Sequence, residues 1–312
     1  NVSSASSSSA PFVAPVTPRN RRTALLWAAL AAVLVVASVA AAFWAGLRIR
    51  NGGGSDVTFQ LLNFRPEMIF NARFAPDGRT ILFSAAPSGN EPEVFTVSPD
   101  YPEPRSIGLK RTALLAVSSK GELALLTNAR YEYSQFFVGT LARMPLGGAV
   151  PREEIEGVHH ADFSPDGSAL AIIRRVASMD RLEYPPGKVL GETIGYFSDL
   201  RVSPDGQRIA LFEHPTIHDD RGSVVVIDLQ GKKSVLAGEW WGEEGLAWSA
   251  DGREILFSAG DGYPSFTVYA VTLSGVKRRA LTGPGGIEIR DVSRDGRWLA
   301  TRNASGALPA GR

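Results

Sequence analysis

Histidines and carboxylates crowd one short stretch of the sequence, Glu213-His214-Pro215-Thr216-Ile217-His218-Asp219-Asp220. Imidazole nitrogens and carboxylate oxygens can hold a divalent metal ion if the loop that carries them folds back on itself. Pro215 prevents a helix that would place both histidines on one face. We therefore favour a polar loop between two strands and predict no metal site there. The pair His159-His160 precedes a strand, where neighbouring side chains point to opposite faces, so a shared metal ion is expected even less.

Two other sets of residues could do chemistry. Four aspartates, Asp166, Asp205, Asp251 and Asp295, recur along the chain like a set of catalytic carboxylates. Each of them directly precedes a glycine in a turn sequence, and turn geometry alone accounts for Asp at that place. The run Trp240-Trp241-Gly242-Glu243-Glu244 joins two aromatics to two acids and could form part of a ligand-facing loop. Packing of at least one Trp between structural units is the more ordinary expectation.

Motifs of several enzyme classes are missing from the sequence. There is no Gly-x-Ser-x-Gly elbow, which argues against a hydrolase domain. Gly52-Gly53-Gly54 has no following Lys and no flanking strand, so it is a linker and not a phosphate-binding loop. The chain has no Cys, which excludes disulfides, a thiolate nucleophile and a Cys-ligated zinc ion. We predict no catalytic residue, no cofactor and no metal for this chain.

The turn sequences themselves are the strongest signal, because one pattern occurs six times. It runs Phe74-Ala75-Pro76-Asp77-Gly78, Val117-Ser118-Ser119-Lys120-Gly121, Phe163-Ser164-Pro165-Asp166-Gly167, Val202-Ser203-Pro204-Asp205-Gly206, Trp248-Ser249-Ala250-Asp251-Gly252 and Val292-Ser293-Arg294-Asp295-Gly296. The glycines are 43, 46, 39, 46 and 44 residues apart, which is the length of a four-stranded propeller blade. Proline presets φ for a type I turn and glycine accepts a positive φ, so we assign Pro76, Pro165, Pro204 and the turn Asp and Gly residues a structural role.

Strand-forming runs flank each turn and predict an all-β fold, a six-repeat β-propeller of four-stranded blades. The second strands are expected at 80–84, 122–127, 170–174, 208–212, 254–258 and 298–301, third strands at 94–97, 136–141, 224–229 and 266–273, and short fourth strands near 234–236 and 279–281. The last blade is short of strands. Phe59-Gln60-Leu61-Leu62 could complete it by closing the ring, or the ring could continue beyond the carboxyl end.

The amino-terminal part has a different composition from the repeats. Residues 1–22 form a Ser/Pro-rich spacer, and residues 23–47 hold no charge and are long enough for a transmembrane helix. Trp27 and Trp44 lie near its ends, and three Arg before it against two after it favour a cytoplasmic amino terminus. A cleavable signal peptide is the rival interpretation. Residues 48–57 form a Gly-rich linker, 58–302 the propeller and 303–312 a tail.

Charge is distributed unevenly along the chain. The whole sequence carries 33 basic and 32 acidic residues, but residues 1–50 contain five Arg and no acid. The remainder is therefore acidic by four charges, so we predict no nucleic-acid partner. The membrane is the one partner that composition indicates directly.

The repeats and the layout together resemble a known group of proteins. Ser-Pro-Asp-Gly followed by an Ile/Leu-rich strand is similar to the TolB-type, WD-like propeller repeat of bacterial exported proteins. A Ser/Pro spacer, one membrane helix, a Gly linker, then Ala72 to Ile81 and Leu141 to Ala149, resemble the sensor half of receptor-type bacterial serine/threonine kinases. No kinase domain is present in this chain: it has no His-Arg-Asp or Asp-Phe-Gly, since Asp162-Phe163 is followed by Ser164.

The resemblance implies a function and leaves alternatives. It implies a non-catalytic propeller, extracytoplasmic or periplasmic, that binds an unknown protein or small molecule at its loops and reports to a cytoplasmic kinase encoded upstream of Asn1. Signalling through one helix could proceed by pairing two receptors, which leaves a homodimer open. The alternative is a stand-alone, membrane-anchored TolB-like envelope scaffold. A third interpretation is an enzyme with its site in the central channel, and His and carboxylate side chains converging there would favour it.

Overall fold

The computed structural model describes Ser38 and residues 58–60, 68–86, 91–132, 136–260, 266–283 and 286–302. The chain divides into two compact units, Asn1–Gln60 and Leu61–Arg312, and every described strand belongs to the second. Of the predicted membrane segment only Ser38, which is helical, is described; the predicted spacer 1–22, linker 48–57 and tail 303–312 lie outside the described residues. Among the described residues, no helix has the length and apolar character that crossing a bilayer requires.

From residue 58 onward the described residues form strands, turns and loops, so the predicted all-β class is confirmed. The first sheet consists of β1 (Ile69–Phe74), β2 (Ile81–Ala85), β3 (Glu93–Ser98) and β4 (Tyr101–Lys110). The second consists of β5 (Ala113–Val117), β6 (Glu122–Glu132), β7 (Phe136–Pro145), β8 (Arg152–Phe163), β9 (Leu170–Val176), β10 (Met179–Glu183) and β11 (Val189–Thr193).

Three further sheets follow. One consists of β12 (Tyr196–Val202), β13 (Arg208–His214), β14 (Gly222–Asp228) and β15 (Lys233–Trp240). The next consists of β16 (Gly242–Trp248), β17 (Glu254–Gly260), β18 (Thr267–Thr272) and β19 (Lys277–Leu281). The last pairs β20 (Ile287–Val292) with β21 (Trp298–Arg302). All neighbours pair antiparallel in sequence order, as meanders do.

The seven-stranded second sheet consists of two meanders that share one strand. The first half of β8 pairs with β7, where Arg152 lies opposite Arg143, and its second half pairs with β9, where Phe163 lies opposite Leu170. One long strand thus serves as the last strand of one repeat and the first strand of the next. Two four-stranded repeats therefore appear as a single continuous sheet.

Each repeat turn joins the first and second strands of a meander. In the second sheet the amide of Gly167 donates to the Ser164 carbonyl at 2.8 Å, and the Ser164 Oγ accepts from the amides of Ser168 and Ala169. Gly167 has a φ of 65°, a conformation that glycine adopts without the clash a Cβ would meet. Local hydrogen bonds of the turn therefore fix where each second strand begins.

The predicted strands differ from the observed ones in two ways. Most observed strands run a few residues further, as in β6 and β7, which pair as far as Glu132 and Phe136. Strands β4, β10 and β11 have no counterpart among the predictions; in β10, buried Asp180 and Glu183 break the apolar pattern. Residues 58–60 form no strand, and Leu61 and Leu62 of the predicted closing strand lie outside the described residues.

The hydrophobic core lies between successive sheets. Ile173 and Leu182 of the second sheet pack with Phe197 and Leu211 of the next, and comparable apolar clusters fill the other gaps. Leu299 of β21 packs in the same way against the first sheet. Buried aliphatic and aromatic side chains thus hold adjacent sheets face to face, as in a propeller. The number of blades stays a prediction.

Candidate functional site

The first strands of the meanders contact one another in succession. These inner strands are β1, β5, the second half of β8, β12, β16 and β20, and β20 in turn contacts β1. Side chains connect them: Asn71 donates to the Leu114 carbonyl, the Trp248 indole to the Arg201 carbonyl, and Asp291 accepts from the Phe74 amide. The inner strands therefore line a common axis, which we call the channel.

One position of the inner strands carries a charge pattern. The residues five places before the six turn glycines are, in chain order, Arg73, Ala116, Asp162, Arg201, Ala247 and Asp291. The order Arg, Ala, Asp is thus repeated twice around the channel. We call the four charged residues the charge ring.

The charge ring is buried and tightly hydrogen-bonded. Arg201 donates from Nη2 to Asp291 at 2.5 Å and from Nη1 to the Arg290 carbonyl at 3.0 Å, while its Nε lies 3.4 Å from Asp162. Arg73 donates to the same Arg290 carbonyl at 2.6 Å. Asp162 also accepts from the Val202 amide at 2.9 Å. Two cations and two anions thus balance one another inside the protein.

The protonation equilibria of the ring follow from burial and from these pairs. Burial and the neighbouring Arg201 lower the pKa of Arg73 to about 10. Burial also lowers the pKa of Arg201, but Asp291 and Asp162 outweigh it and leave that pKa raised. Burial raises the pKa of Asp162 against the pull of Arg201 and Arg73. A compensated network of this kind closes a channel and positions strands; it leaves little charge for a ligand.

Acidic side chains dominate the channel on the other side of the charge ring, nearer the beginning of the inner strands. The acidic cluster, as we call it, consists of Asp199, Asp220, Glu243, Glu244 and Glu288 with the phenols of Tyr131 and Tyr196. Among the described residues of this cluster, Arg290 is the cation. Its guanidinium pairs with Glu288, and its Nη1 lies 3.7 Å from Glu244 Oε2. Partial burial, Glu288, Asp199 and Asp220 raise the pKa of Glu244, whose side chain is still 47% exposed, whereas Arg290 lowers it.

Glu243 is the most unusual member of the acidic cluster. The residue is only 5% exposed, and neither carboxylate oxygen has a hydrogen-bond partner among the described residues. Burial, with a contribution from Asp199, raises the pKa of Glu243 to about 9. Its Oε2 and His214 Nδ1 lie 2.4 and 2.8 Å from the point where a Cβ on Gly222 would stand. Only a glycine at 222 leaves room for this carboxyl group.

Three histidines surround the same end of the channel. His214 Nε2 forms a 3.0 Å hydrogen bond with Ser198 Oγ, Tyr196 stacks on the imidazole at 4.0 Å, and burial lowers the pKa of His214. His159 Nε2 lies 3.1 Å from Asp180. Burial and His159 lower the pKa of His160 to about 3. Burial thus favours the neutral imidazoles of His160 and His214, whereas His159 lies beside a carboxylate.

The expectation that His159 and His160 point to opposite faces is wrong. Their Nδ1 atoms lie 2.8 Å apart, because the pairing of β8 with β9 shifts register between Val158 and His160. Such a bulge turns two neighbouring side chains to one side. No group of three His, Asp or Glu side chains with metal-binding geometry occurs among the described residues.

The structure places the remaining candidate residues in different surroundings. The four aspartates lie in the repeat turns, away from the acidic cluster: Asp166, Asp205, Asp251 and Asp295 each accept from the Oγ of the Ser two residues earlier. His214 lies at the channel, whereas His218 lies on an exposed loop. Trp240 is buried beside Tyr269 and Lys277, and Trp241 is 70% exposed.

Sequence reasoning missed the charge ring, Asp199 and Tyr131. A signal for the ring was present, since its members stand at a fixed distance from the turn glycines. No comparable signal marks Asp199, which lies in the register shift of β12 with a φ of 52°. Tyr131 belongs to a part of β6 that extends beyond the predicted strand.

Comparison with known proteins gives a fold and no family. No protein-family model and no curated protein sequence matches the chain. TolB from Acinetobacter baumannii is similar in structure, with a TM-score of 0.56 and 16% identity over 71% of this chain and 57% of TolB. A TolB-like protein from Agrobacterium tumefaciens has a TM-score of 0.40 and 16% identity, over 80% of this chain and 76% of its own. The tricorn protease has a TM-score of 0.48 and 21% identity, over 73% of this chain and 24% of its own.

The chain thus spans rather more than half the length of the A. baumannii protein that it resembles. A shared propeller fold does not decide whether a protein is catalytic. The order of the sheets, the repeat turns and the similarity to the A. baumannii structure together show that the described residues between 69 and 302 have a TolB-like β-propeller fold.

Proposed function

We propose that the chain is a non-catalytic, extracytoplasmic binding propeller, the sensor part of a receptor-type serine/threonine kinase whose catalytic domain is encoded upstream. One transmembrane helix at 23–47 carries it, the amino terminus is cytoplasmic, and six blades complete the ring. The ligand or protein partner binds at the end of the channel that holds the acidic cluster.

The gathering of carboxyl groups in the acidic cluster, with Glu243 among them buried and without a hydrogen-bond partner among the described residues, is the observation that supports this site. Asp199, Asp220, Glu244 and Glu288 interact electrostatically beside Arg290, so repulsion among these carboxylates and the desolvation of Glu243 both cost stability. Charged or buried polar groups that lower the stability of the fold are typical of binding sites. Asp220 is exposed and the Glu244 side chain is 47% exposed, so a ligand can reach the cluster from solvent.

Single cysteines test the topology, since the chain has none of its own. We would introduce Arg79→Cys on an exposed propeller turn and, separately, Ser6→Cys in the amino-terminal spacer. A membrane-impermeant maleimide should label the propeller cysteine in intact spheroplasts and the spacer cysteine only after lysis. The reverse order of labelling would overturn the proposed location.

A photocrosslinker tests the binding site. Benzoylphenylalanine at Tyr131, which faces Glu244 and Asp220, should give a discrete crosslinked product in cells. The same crosslinker at Val150, an exposed residue between β7 and β8, is the control and should give none. No product at Tyr131, or equal products at both, would refute binding at this end of the channel.

The coding sequence before Asn1 distinguishes the kinase sensor from the stand-alone scaffold. A continuous frame with a Gly-rich loop, a catalytic Lys, His-Arg-Asp and Asp-Phe-Gly supports the sensor. A stop codon and a new start immediately before Asn1 would leave the membrane-anchored TolB-like scaffold as the proposal.

One observation favours a second candidate, an enzyme with its site in the channel. His159, His160 and His214 do converge there with Asp180, Asp199 and Glu243, and Ser198 is hydrogen-bonded to His214 as a nucleophile is to its base. Ser198 and His214 are nevertheless both buried, which keeps a substrate carbonyl from this pair in the conformation described. Turnover of p-nitrophenyl acetate that Ser198→Ala abolishes and Ser203→Ala retains would establish the enzyme; equal rates in both variants would exclude Ser198 as its nucleophile.

A further inference from the structure

We propose that the acidic cluster binds an organic cation, a primary ammonium or guanidinium group, carried by a small amine or by a Lys or Arg side chain of a partner protein. This inference rests on the proposed binding function of the same end of the channel and specifies the ligand class. It stands on charge, on one buried unpaired carboxyl group and on the aromatic side chains beside it.

The charge balance selects the sign of the ligand. Asp199, Asp220, Glu244 and Glu288 interact electrostatically with one another and with Tyr131 and Tyr196. Arg290 is already engaged with Glu288 and with Glu244. A cation entering the cluster relieves repulsion among these carboxylates, whereas an anion would add to it.

Glu243 provides the hydrogen-bonding requirement. A buried carboxyl group without a partner has lost its hydrogen bonds to water, and a donor that reaches it offsets that loss. The group faces Asp199 and Tyr196, which belong to the acidic cluster. An ammonium offers three donors and a guanidinium five, enough to serve Glu243 and a more exposed neighbour together.

Aromatic rings supply the other half of a cation site. Tyr131 is 39% exposed, and its ring is held by Phe70 at 6.2 Å and Phe137 at 5.1 Å. Tyr196 is fixed by stacking on His214. The faces of such anchored rings attract desolvated cations, and their carbon atoms pack against the alkyl chains that carry them.

Binding a cation should release a proton from the site. The titratable groups that face Glu243 are Asp199 and Tyr196 of β12 and His214 of β13. Asp199 in turn interacts with Glu244 of β16, and Glu244 interacts with Glu288 and Arg290 of β20. A ligand cation favours the ionised form of Glu243, whose pKa of about 9 keeps it protonated at neutral pH. Affinity should therefore rise from pH 6 to pH 9, before an alkylammonium with a pKa of about 10.4 loses its own charge.

Isothermal titration of the full 312-residue chain in mild detergent tests the proposal. The cationic probes are cadaverine and the peptide acetyl-Ala-Lys-Ala-amide; the neutral probes are 1-pentanol and the same peptide acetylated at the lysine Nζ. Cationic probes should bind and neutral ones should not. Preference for cadaverine indicates a small-amine ligand, and preference for the peptide indicates a partner's side chain.

Two variants localise the effect. Glu243→Gln reproduces the neutral carboxyl group, so it should bind cations like the wild type at pH 6 and at least tenfold more weakly at pH 9. Glu254→Gln, at the opposite end of the same sheet, removes a surface pair with Arg278 and should leave both affinities unchanged. Asp220→Asn, at an exposed position, should also weaken cation binding and guards against a folding defect of Glu243→Gln.

The outcomes separate this inference from the proposed function. Equal binding of neutral and cationic probes would overturn cation selection but leave a ligand site at the channel. Absence of any probe binding, with the Tyr131 crosslink retained, would also overturn the inference alone. Loss of both would overturn the inference and the proposed function together.

Discussion

Arg201 of β12 and Asp291 of β20 form an ion pair across the channel, 90 residues apart in the chain. The same guanidinium lies 3.4 Å from Asp162 of β8 and donates to the carbonyl of Arg290. A single side chain thus connects three inner strands that belong to different sheets. Such a contact is set only when the sheets have assembled, so it reports on the closed arrangement as a whole.

Removing this guanidinium should destabilise the propeller strongly. Arg201→Met leaves Asp162 and Asp291 buried with much of their charge uncompensated, and breaking a buried pair from one side costs about 3–5 kcal/mol. Urea unfolding followed by tryptophan fluorescence measures the loss. Arg208→Met, which removes an exposed pair with Asp205, should cost about 0–1 kcal/mol. Equal losses in the two variants would contradict a structural role for the charge ring.

Glu243 should make the protein less stable as pH rises. Its pKa is about 9 when folded and near the ordinary value when unfolded, so folding takes up a proton at intermediate pH. The free energy of unfolding then falls between roughly pH 5 and pH 9, by at most about 1.4 kcal/mol for each pH unit.

Glu243→Gln removes this dependence and should raise the melting temperature at pH 8 more than at pH 5. Differential scanning calorimetry at the two pH values, with Glu254→Gln as the matched control, measures the change. A Glu243→Gln protein whose melting temperature follows that of the wild type at both values would mean that Glu243 is ionised in the folded state.

The fold was predictable because its determinants are local and repeated. Proline, aspartate and glycine at fixed places in each turn specify a hairpin from a few neighbouring residues, and six occurrences outweigh the weakness of each. Strand β10 was not predicted because Asp180 and Glu183 are buried beside partners on other strands, His159 of β8 and Arg174 of β9. The periodicity of apolar residues cannot reveal charged residues that become buried through tertiary contacts.

The candidate site was less predictable because backbone irregularities shape it. His159 and His160 meet through a bulge, and Asp199 adopts a positive φ within another. Regular alternation assigns the wrong face to side chains at such places. The run Trp240 to Glu244 could be interpreted as part of a ligand-facing loop, with Trp packing as the favoured alternative, but nothing in the sequence distinguishes buried Glu243 from exposed Trp241 or half-exposed Glu244.

The conformational requirement of the repeat turns can be measured at Gly206. This residue has a φ of 70°, and a Cβ placed on it would meet Pro165 at an ordinary 3.4 Å. Gly206→Ala should therefore lower the free energy of unfolding by about 1–2 kcal/mol from backbone strain alone. Gly147→Ala, at a turn position with neither a positive φ nor a close neighbour, is the control and should change little. Tolerance of alanine at 206 equal to that at 147 would contradict a requirement for glycine in the turn.

Acid should destabilise the channel through His160. Its folded pKa of about 3 lies below the usual value near 6.5, because burial and His159 disfavour the imidazolium against the attraction of Asp199 and Asp180. The unfolded chain therefore binds a proton that the folded chain does not bind, and the free energy of unfolding falls as pH drops from about 6.5 toward 3.

His160→Asn keeps an acceptor for His159 but cannot titrate in this range, so its melting temperature should fall less between pH 7 and pH 4.5 than that of the wild type. His218→Asn, on an exposed loop, should follow the wild type. If His160→Asn and His218→Asn lose the same number of degrees on acidification, the neutral imidazole at 160 is not what makes the channel sensitive to acid.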